Sequence, residues 1–204
     1  MTCTTSREIG VPQDFSPGEW RGRLIGAGLS SDAQRVLSAA LELLEQGEDL
    51  LRVLTRESYT RRVPAAFNAS IGGHFRHCLD HFSSLLRACE SEMVDYDHRA
   101  RDPRIESDPE WACRETHAVK EVLESMDPEA LDGGVLVRCE VSYERGESPV
   151  TRSTLGRELV YAIAHGIHHF ALISVMARLQ GVVLPPDFGM APSTVAHRAT
   201  LTAS

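Results

Sequence analysis

Ser70-Ile71-Gly72-Gly73-His74-Phe75-Arg76-His77-Cys78-Leu79-Asp80-His81 opens a segment in which Ile71, Phe75, Cys78, Leu79, Phe82, Leu85 and Leu86 recur at helical spacing. The pattern predicts an amphipathic helix that starts at the small polar cap Ser70 and ends near Glu92. A second histidine-bearing stretch, Ala164-His165-Gly166-Ile167-His168-His169, lies in an apolar run from Leu155 to Leu179 that stops before Gly181. It reads as another helix, with glycine as its C-terminal breaker.

Outward from these two, Val36, Leu37, Ala40, Leu41, Leu44, Leu50, Leu51 and Leu54 give a first helix starting near Ser31. A further helix is expected from Ser107 or Asp108, because Pro109 suits a first helical position and Glu110 stands three residues after Ser107. After Gly133-Gly134, the alternation from Val135 to Tyr143, a turn at Arg145-Gly146-Glu147 and the approach to Val150 predict a β-hairpin. The fold class expected is all-α, an antiparallel four-helix bundle with a small hairpin between its third and fourth helices. Residues 31–184 form the bundle, 1–30 an N-terminal extension and 185–204 a C-terminal tail, since both ends mix Gly, Pro, Ser and charge without periodicity.

A content of 42% hydrophobic and 25% charged residues in 204 suits one domain with a substantial core. Lys plus Arg number 21 against 29 Asp plus Glu, and no basic stripe interrupts this net charge of -8, so nucleic acid is not an expected partner. Met1 to Trp20 hold no apolar run of signal-peptide type, and no stretch of about 18 apolar residues is evident, which predicts a cytoplasmic protein without a membrane partner. The cysteines, 3, 78, 89, 113 and 139, are odd in number and lack a C-x-x-C pair, so they read as reduced thiols.

Six of the nine histidines fall in the two helical stretches: His74, His77, His81 and His165, His168, His169. His165 and His169 stand at i and i+4, one turn apart on one face, where two imidazoles can address one ion. His74, His77 and His81 form one stripe at i, i+3 and i+7, and any of them can supply a third ligand. Neutral imidazole suits zinc, nickel, cobalt or ferrous iron, and three nitrogens leave positions open for water or substrate. His168 points elsewhere than His169. Paired Glu-x-x-His motifs, H-E-x-x-H, a P-loop and a dinucleotide fingerprint are all missing, which argues against ferritin-like di-iron chemistry and nucleotide cofactors.

The run Phe67 to His81, joined with Ala164 to His169, resembles the DinB/YfiT-like superfamily of metal-dependent bundle proteins over about residues 31–181. The resemblance implies His77 as the ligand from the second helix and His165 and His169 as the pair from the fourth. His74, His81 and Asp80 are then candidates to orient those ligands. The sequence departs from the family after His169, where Phe170-Ala171-Leu172 replaces the usual Arg-Gly-Gln, and in its hairpin and its Asp95-Tyr96-Asp97-His98-Arg99 segment. It looks like a distinct branch.

Superfamily members are linked to thiol-dependent transfer, maleylpyruvate isomerisation and hydrolysis. The resemblance therefore implies a metal-dependent transferase or hydrolase with a divalent ion (zinc, nickel or iron) and a small-molecule substrate. A homodimer is also expected, since many bundles pair through an exposed apolar stripe. The alternatives are a bundle that binds metal or ligand without turnover, and a closed structural site. The polar segment after the second helix is expected to fold over the site, with Tyr96, Asp97 and Arg99 as candidates for an acid, a carboxylate and an anion clamp. Asp95 is a further candidate to orient an imidazole. Glu158 and Tyr161, at i-7 and i-4 from His165, are expected to line the pocket.

Overall fold

The computed structural model describes residues 29–202 except Arg145. The expected extension at 1–30, but for its last two residues, thus lies outside the described residues, as do Cys3 and the first residue of the Arg145-Gly146-Glu147 turn. The chain order is α1 (Leu29–Val53), α2 (Arg56–Thr60), α3 (Ile71–Ser91), β1 (Met93–Asp95), α4 (Pro103–Ser107), α5 (Pro109–Glu124), β2 (Gly134–Arg138), β3 (Val150–Thr154), α6 (Leu155–Leu179) and α7 (Pro192–Thr202), with short 3-10 turns at Pro64–Ala66 and Pro128–Asp132. The protein is mostly helical, with one small mixed sheet in the order β1-β2-β3.

Helix boundaries follow local chemistry. Ser70 caps α3, its hydroxyl accepting the Gly73 N–H at 3.0 Å, and Thr154 caps α6 by accepting the Arg157 N–H. Asp108, rather than Ser107, starts α5: one carboxylate oxygen takes the Glu110 and Trp111 N–H groups, ahead of Pro109 at the first position. Ser107 ends α4 instead, with its hydroxyl on the Pro103 carbonyl. The Ser107–Glu110 capping box is not formed, because Ser107 is the last residue of α4 and Asp108 takes the free N–H groups of α5.

α3 packs on α6 and α5, and α1 packs on α5 and α6. Phe75, Phe82, Leu85, Leu159, Ile173 and Met176 are fully buried between them. Gly72 permits a close approach: a methyl there would collide with the Glu106 carbonyl and the Tyr59 ring. The first turn of α3 therefore sits directly against α4. At 25 residues, α6 is long and apolar enough to cross a bilayer by length and composition, more so than its sequence pattern suggested; here it buries Phe170, Ile173 and Met176 in the core.

The hairpin is present but shorter than its alternation implies, and it gains a strand. β2 pairs antiparallel with β3 from Gly134↔Thr154 to Arg138↔Val150. Beyond Arg138 the ladder loosens because the Glu140 N–H turns to Asp97 Oδ1 at 2.9 Å. The segment read as a polar connection begins with β1, which pairs parallel to β2 from Met93↔Leu136 to Asp95↔Arg138. Glu92, left-handed at φ 55°, ends α3 and turns the chain into that strand. After α6, Phe188 is buried and stacks on Phe170 at a centroid distance of 5.1 Å, so the segment before α7 lies against the core.

Candidate metal centre

Each imidazole stands where helical periodicity on α3 or α6 directs it toward the other helix. His77 Nε2 lies 2.9 Å from His165 Nε2, and His74 Nδ1 lies 2.8 Å from His169 Nδ1. The His169 ring is 4.6 Å from both His77 and His165, and His81 is 4.6 Å from His77 and 4.2 Å from His165, between centroids. Ligand nitrogens of His77, His81 and His165 all fall within 4.8 Å of one another. Five imidazoles therefore meet in one seam. His168 is exposed.

His81 is buried, and the helix itself fixes its tautomer. Its Nδ1–H donates to the His77 carbonyl at 2.8 Å, which leaves Nε2 as a lone pair. Metal-bound histidines commonly make such a bond with their second nitrogen. The sequence shows His81 as a member of the stripe with His74 and His77, but not which carbonyl its Nδ1 meets.

Burial, first, and mutual proximity hold these bases neutral. His77 is pushed down to about 2, by burial and then by His81 and His169; His169 is pushed to about 3, by burial and then by His165 and His74. His81 falls to about 4, chiefly through burial, against the bond to the His77 carbonyl. His74 and His165 are lowered for the same first reason. Two neutral imidazoles whose nitrogens face each other at 2.9 Å need a proton or a cation between them, since bare lone pairs repel. The donors fit a borderline divalent ion: two metal–nitrogen bonds of about 2.1 Å at a right angle span about 3 Å.

The residues around the seam sort differently from their sequence-level reading. Tyr96 is buried, its ring 5.0 Å from His81 and 5.4 Å from Tyr161, and its hydroxyl donates to Glu158 at 2.9 Å. Burial and that carboxylate raise the Tyr96 hydroxyl far above its ordinary value. Glu158, buried as well, also accepts from Ser153 at 2.7 Å and Arg157 at 3.0 Å, which ties α6 to β3 behind the tyrosine. Tyr161 stacks on His165 at 5.6 Å and borders the seam, whereas Glu158, the other residue anticipated from α6, reaches it only through Tyr96.

Asp80 bonds Arg76 at 3.2 Å, and Arg76 also reaches Glu106; no bond from Asp80 to an imidazole occurs among the described residues. Asp95 does not orient the cluster either. It accepts the Asp97 and His98 N–H groups and pairs with Arg138 and the exposed His98, closing the turn after β1. Asp97 uses Oδ1 on the sheet, while its Oδ2 is buried without a partner. Arg99 is half-buried, and its Nε is buried without a partner.

The sequence profile of the DinB family matches residues 37–194, more than three quarters of the chain. The protein belongs to the DinB family. The match runs past the end expected for the bundle and takes in Phe188. The chain is also 31% identical over 106 residues to "FK506-binding protein 5" of Rhizopus delemar. That alignment takes in 52% of this chain and 27% of the fungal protein, so the chain spans about a quarter of the curated relative it matches. Family membership accords with a seam of imidazoles whose nitrogens are able to hold a metal ion.

Proposed function

We propose that the protein is a metal-dependent enzyme of the transferase or hydrolase type, acting on a small molecule at one divalent ion held by His77, His165 and His169. The observation that carries this reading is the 2.9 Å approach of His77 Nε2 to His165 Nε2 within a cluster of imidazoles kept neutral by burial. The four long helices α1, α3, α5 and α6, packed in a ring, support an antiparallel four-helix bundle as the frame.

An ion on three imidazoles lowers the pKa of bound water or binds a thiol as thiolate, which opens hydrolysis and thiol transfer. The chain's own groups do the rest. His74 holds His169 through the 2.8 Å hydrogen bond between their Nδ1 atoms, the His77 carbonyl holds His81, and the Tyr96 ring covers His81 from the loop side. Tyr96 is ill suited to giving up its proton, because Glu158 and burial keep it on the phenol oxygen; it positions rather than titrates.

His81 favours a second reading, a closed structural or storage site, because its free nitrogen lies within 4.8 Å of ligand nitrogens of His77 and His165 and adds a further donor to the proposed set. An exchangeable water on the bound ion distinguishes an open centre from a closed one. A cytoplasmic location, independence from membrane and nucleic acid, and a homodimer complete the proposal. The acidic balance and the exposed Leu172, Val175 and Leu179 on α6 support the last two of these.

The test is elemental analysis of the untagged protein beside a His165→Ala/His169→Ala variant shown to be folded. The expected result is about one ion per native chain and almost none in the variant. Native protein that takes up no zinc, nickel, cobalt or ferrous iron would overturn the reading.

A further inference from the structure

Most arginines near the seam have an acid in contact. Arg76 has Asp80 and Glu106, Arg138 has Asp95, Arg157 has Glu158 and Arg104 has Asp102. Arg99 differs. No carboxylate lies within ion-pair distance of it among the described residues, although the group is half-buried and its Nε is wholly removed from solvent without a hydrogen bond. An arginine donor in that condition costs free energy unless something absent from the bare fold answers it.

Its position says where that something would sit. Arg99 follows Tyr96 by three residues, and Tyr96 stacks on His81 at the edge of the imidazole seam. The Arg99 charge is felt at His77, His81 and His165, and at Tyr161 and Cys139. Asp80 and Asp97 act on Arg99 from beyond contact distance, while Arg76 and Arg101 oppose its charge. Two residues before it, Asp97 Oδ2 is a buried acceptor that also lacks a partner, its other oxygen being fixed by the Glu140 N–H. One short loop thus holds an orphaned donor and an orphaned acceptor that do not satisfy each other.

We propose that this loop recognises a small carboxylate carrying an adjacent hydrogen-bond donor, with Arg99 taking the carboxylate and Asp97 Oδ2 the donor. A 2-hydroxy or 2-amino acid has that pattern on neighbouring carbons. The proposal rests on the metal-centre reading only in naming this ligand as the substrate class, because the loop can bind the anion with or without the ion. Arg99 is then a specificity-determining residue: it orients the ligand by a planar, charge-assisted contact that a lysine reproduces only in part.

The experiment titrates lactate, acetate and inorganic phosphate into the full-length protein, with and without bound zinc, following the backbone amide resonances of residues 95–99. The native protein, Arg99→Gln, Arg99→Lys and Asp97→Asn are compared, each with its melting temperature and zinc content. Native protein is expected to bind lactate more tightly than acetate. Arg99→Gln should weaken lactate by roughly tenfold or more, Arg99→Lys by less, and Asp97→Asn should remove most of the preference for lactate over acetate. Zinc content should stay at the native level in all three variants.

Equal binding of lactate by native protein and folded Arg99→Gln overturns the proposal, as does no binding of lactate by native protein up to about 10 mM. Binding of phosphate alone overturns the carboxylate assignment. If native protein takes up no zinc, nickel, cobalt or ferrous iron but lactate binding still depends on Arg99, the metal reading fails and the recognition site stands.

Discussion

Two polar seams interrupt the helical core, and they are built on opposite principles. Between α1 and α5, the buried Glu48 meets Lys120 at 3.0 Å, Arg52 at 3.6 Å and His117 at 3.8 Å. Acid and bases answer each other there, and nothing further is required. Between α3 and α6, five imidazoles face one another with no acid in contact among the described residues. Every one of them is a potential donor to a cation, and burial makes each reluctant to take a proton. A seam in which acid meets base is complete as a structural device, whereas one made only of bases has the donors to hold a cation.

The largest effect separating the seams should come from acid. The imidazoles bind protons less readily in the folded chain than in the unfolded one, where a histidine titrates near its ordinary value of about 6.5. Their lowered pKa values therefore contribute nothing adverse above that pH. As pH falls below it, the unfolded chain takes up protons that the folded seam refuses, and stability declines until the folded values are reached. These are about 4 for His81, about 3 for His169 and about 2 for His77. Denaturant melts of metal-free protein between pH 7 and 4 should approach a slope of about three protons. Replacing His77 and His169 by glutamine should flatten it. A slope unchanged by those replacements would mean that the seam is wet and its bases ordinary.

Breaking the self-satisfied seam should cost stability without touching the metal. Glu48→Ala leaves Lys120 partly buried beside an empty acceptor site, and the loss is expected at about 2 kcal/mol, below the full cost for a deeply buried pair because Arg52 and His117 reach solvent. Zinc content should not change. The backbone approach below the imidazole seam predicts a similar loss: Gly72→Ala should cost about 2 kcal/mol in denaturant melts through overpacking against the Glu106 carbonyl, and Gly73→Ala clearly less.

The contrast between the seams also explains what was readable beforehand. Periodicity on one chain segment located α3 and all of α6, Leu155–Leu179, and helical spacing placed His165 and His169 on one face. These are local properties. Glu48 and Lys120, 72 residues apart, carry no local mark, since a charge on a helix usually means a solvated face. β1 escaped for a related reason: Met93-Val94-Asp95 is too short to alternate, and its strand character comes from parallel pairing with β2 some forty residues on. His81 was legible as a cluster member, but its fixed tautomer required knowing which carbonyl its Nδ1 meets. Asp95 and Asp80 looked like imidazole partners and proved to hold a turn and an arginine, because carboxylates near a histidine cluster in sequence have nearer donors to satisfy.

The smallest predicted effect probes the link between the imidazole seam and the sheet. Tyr96→Phe keeps the ring on His81 and removes only the hydroxyl that donates to Glu158 at 2.9 Å. Glu158 retains Ser153 and Arg157, so its carboxylate is not stranded, and the expected loss is about 1 kcal/mol in denaturant melts. Metal content should be native, because no imidazole loses a partner. Tyr96→Ala removes the cover from His81 as well and should lower zinc affinity in addition to stability. Equal zinc affinity in the two variants would show that the Tyr96 ring packs against the seam without positioning it, leaving the His81–carbonyl bond to hold that imidazole by itself.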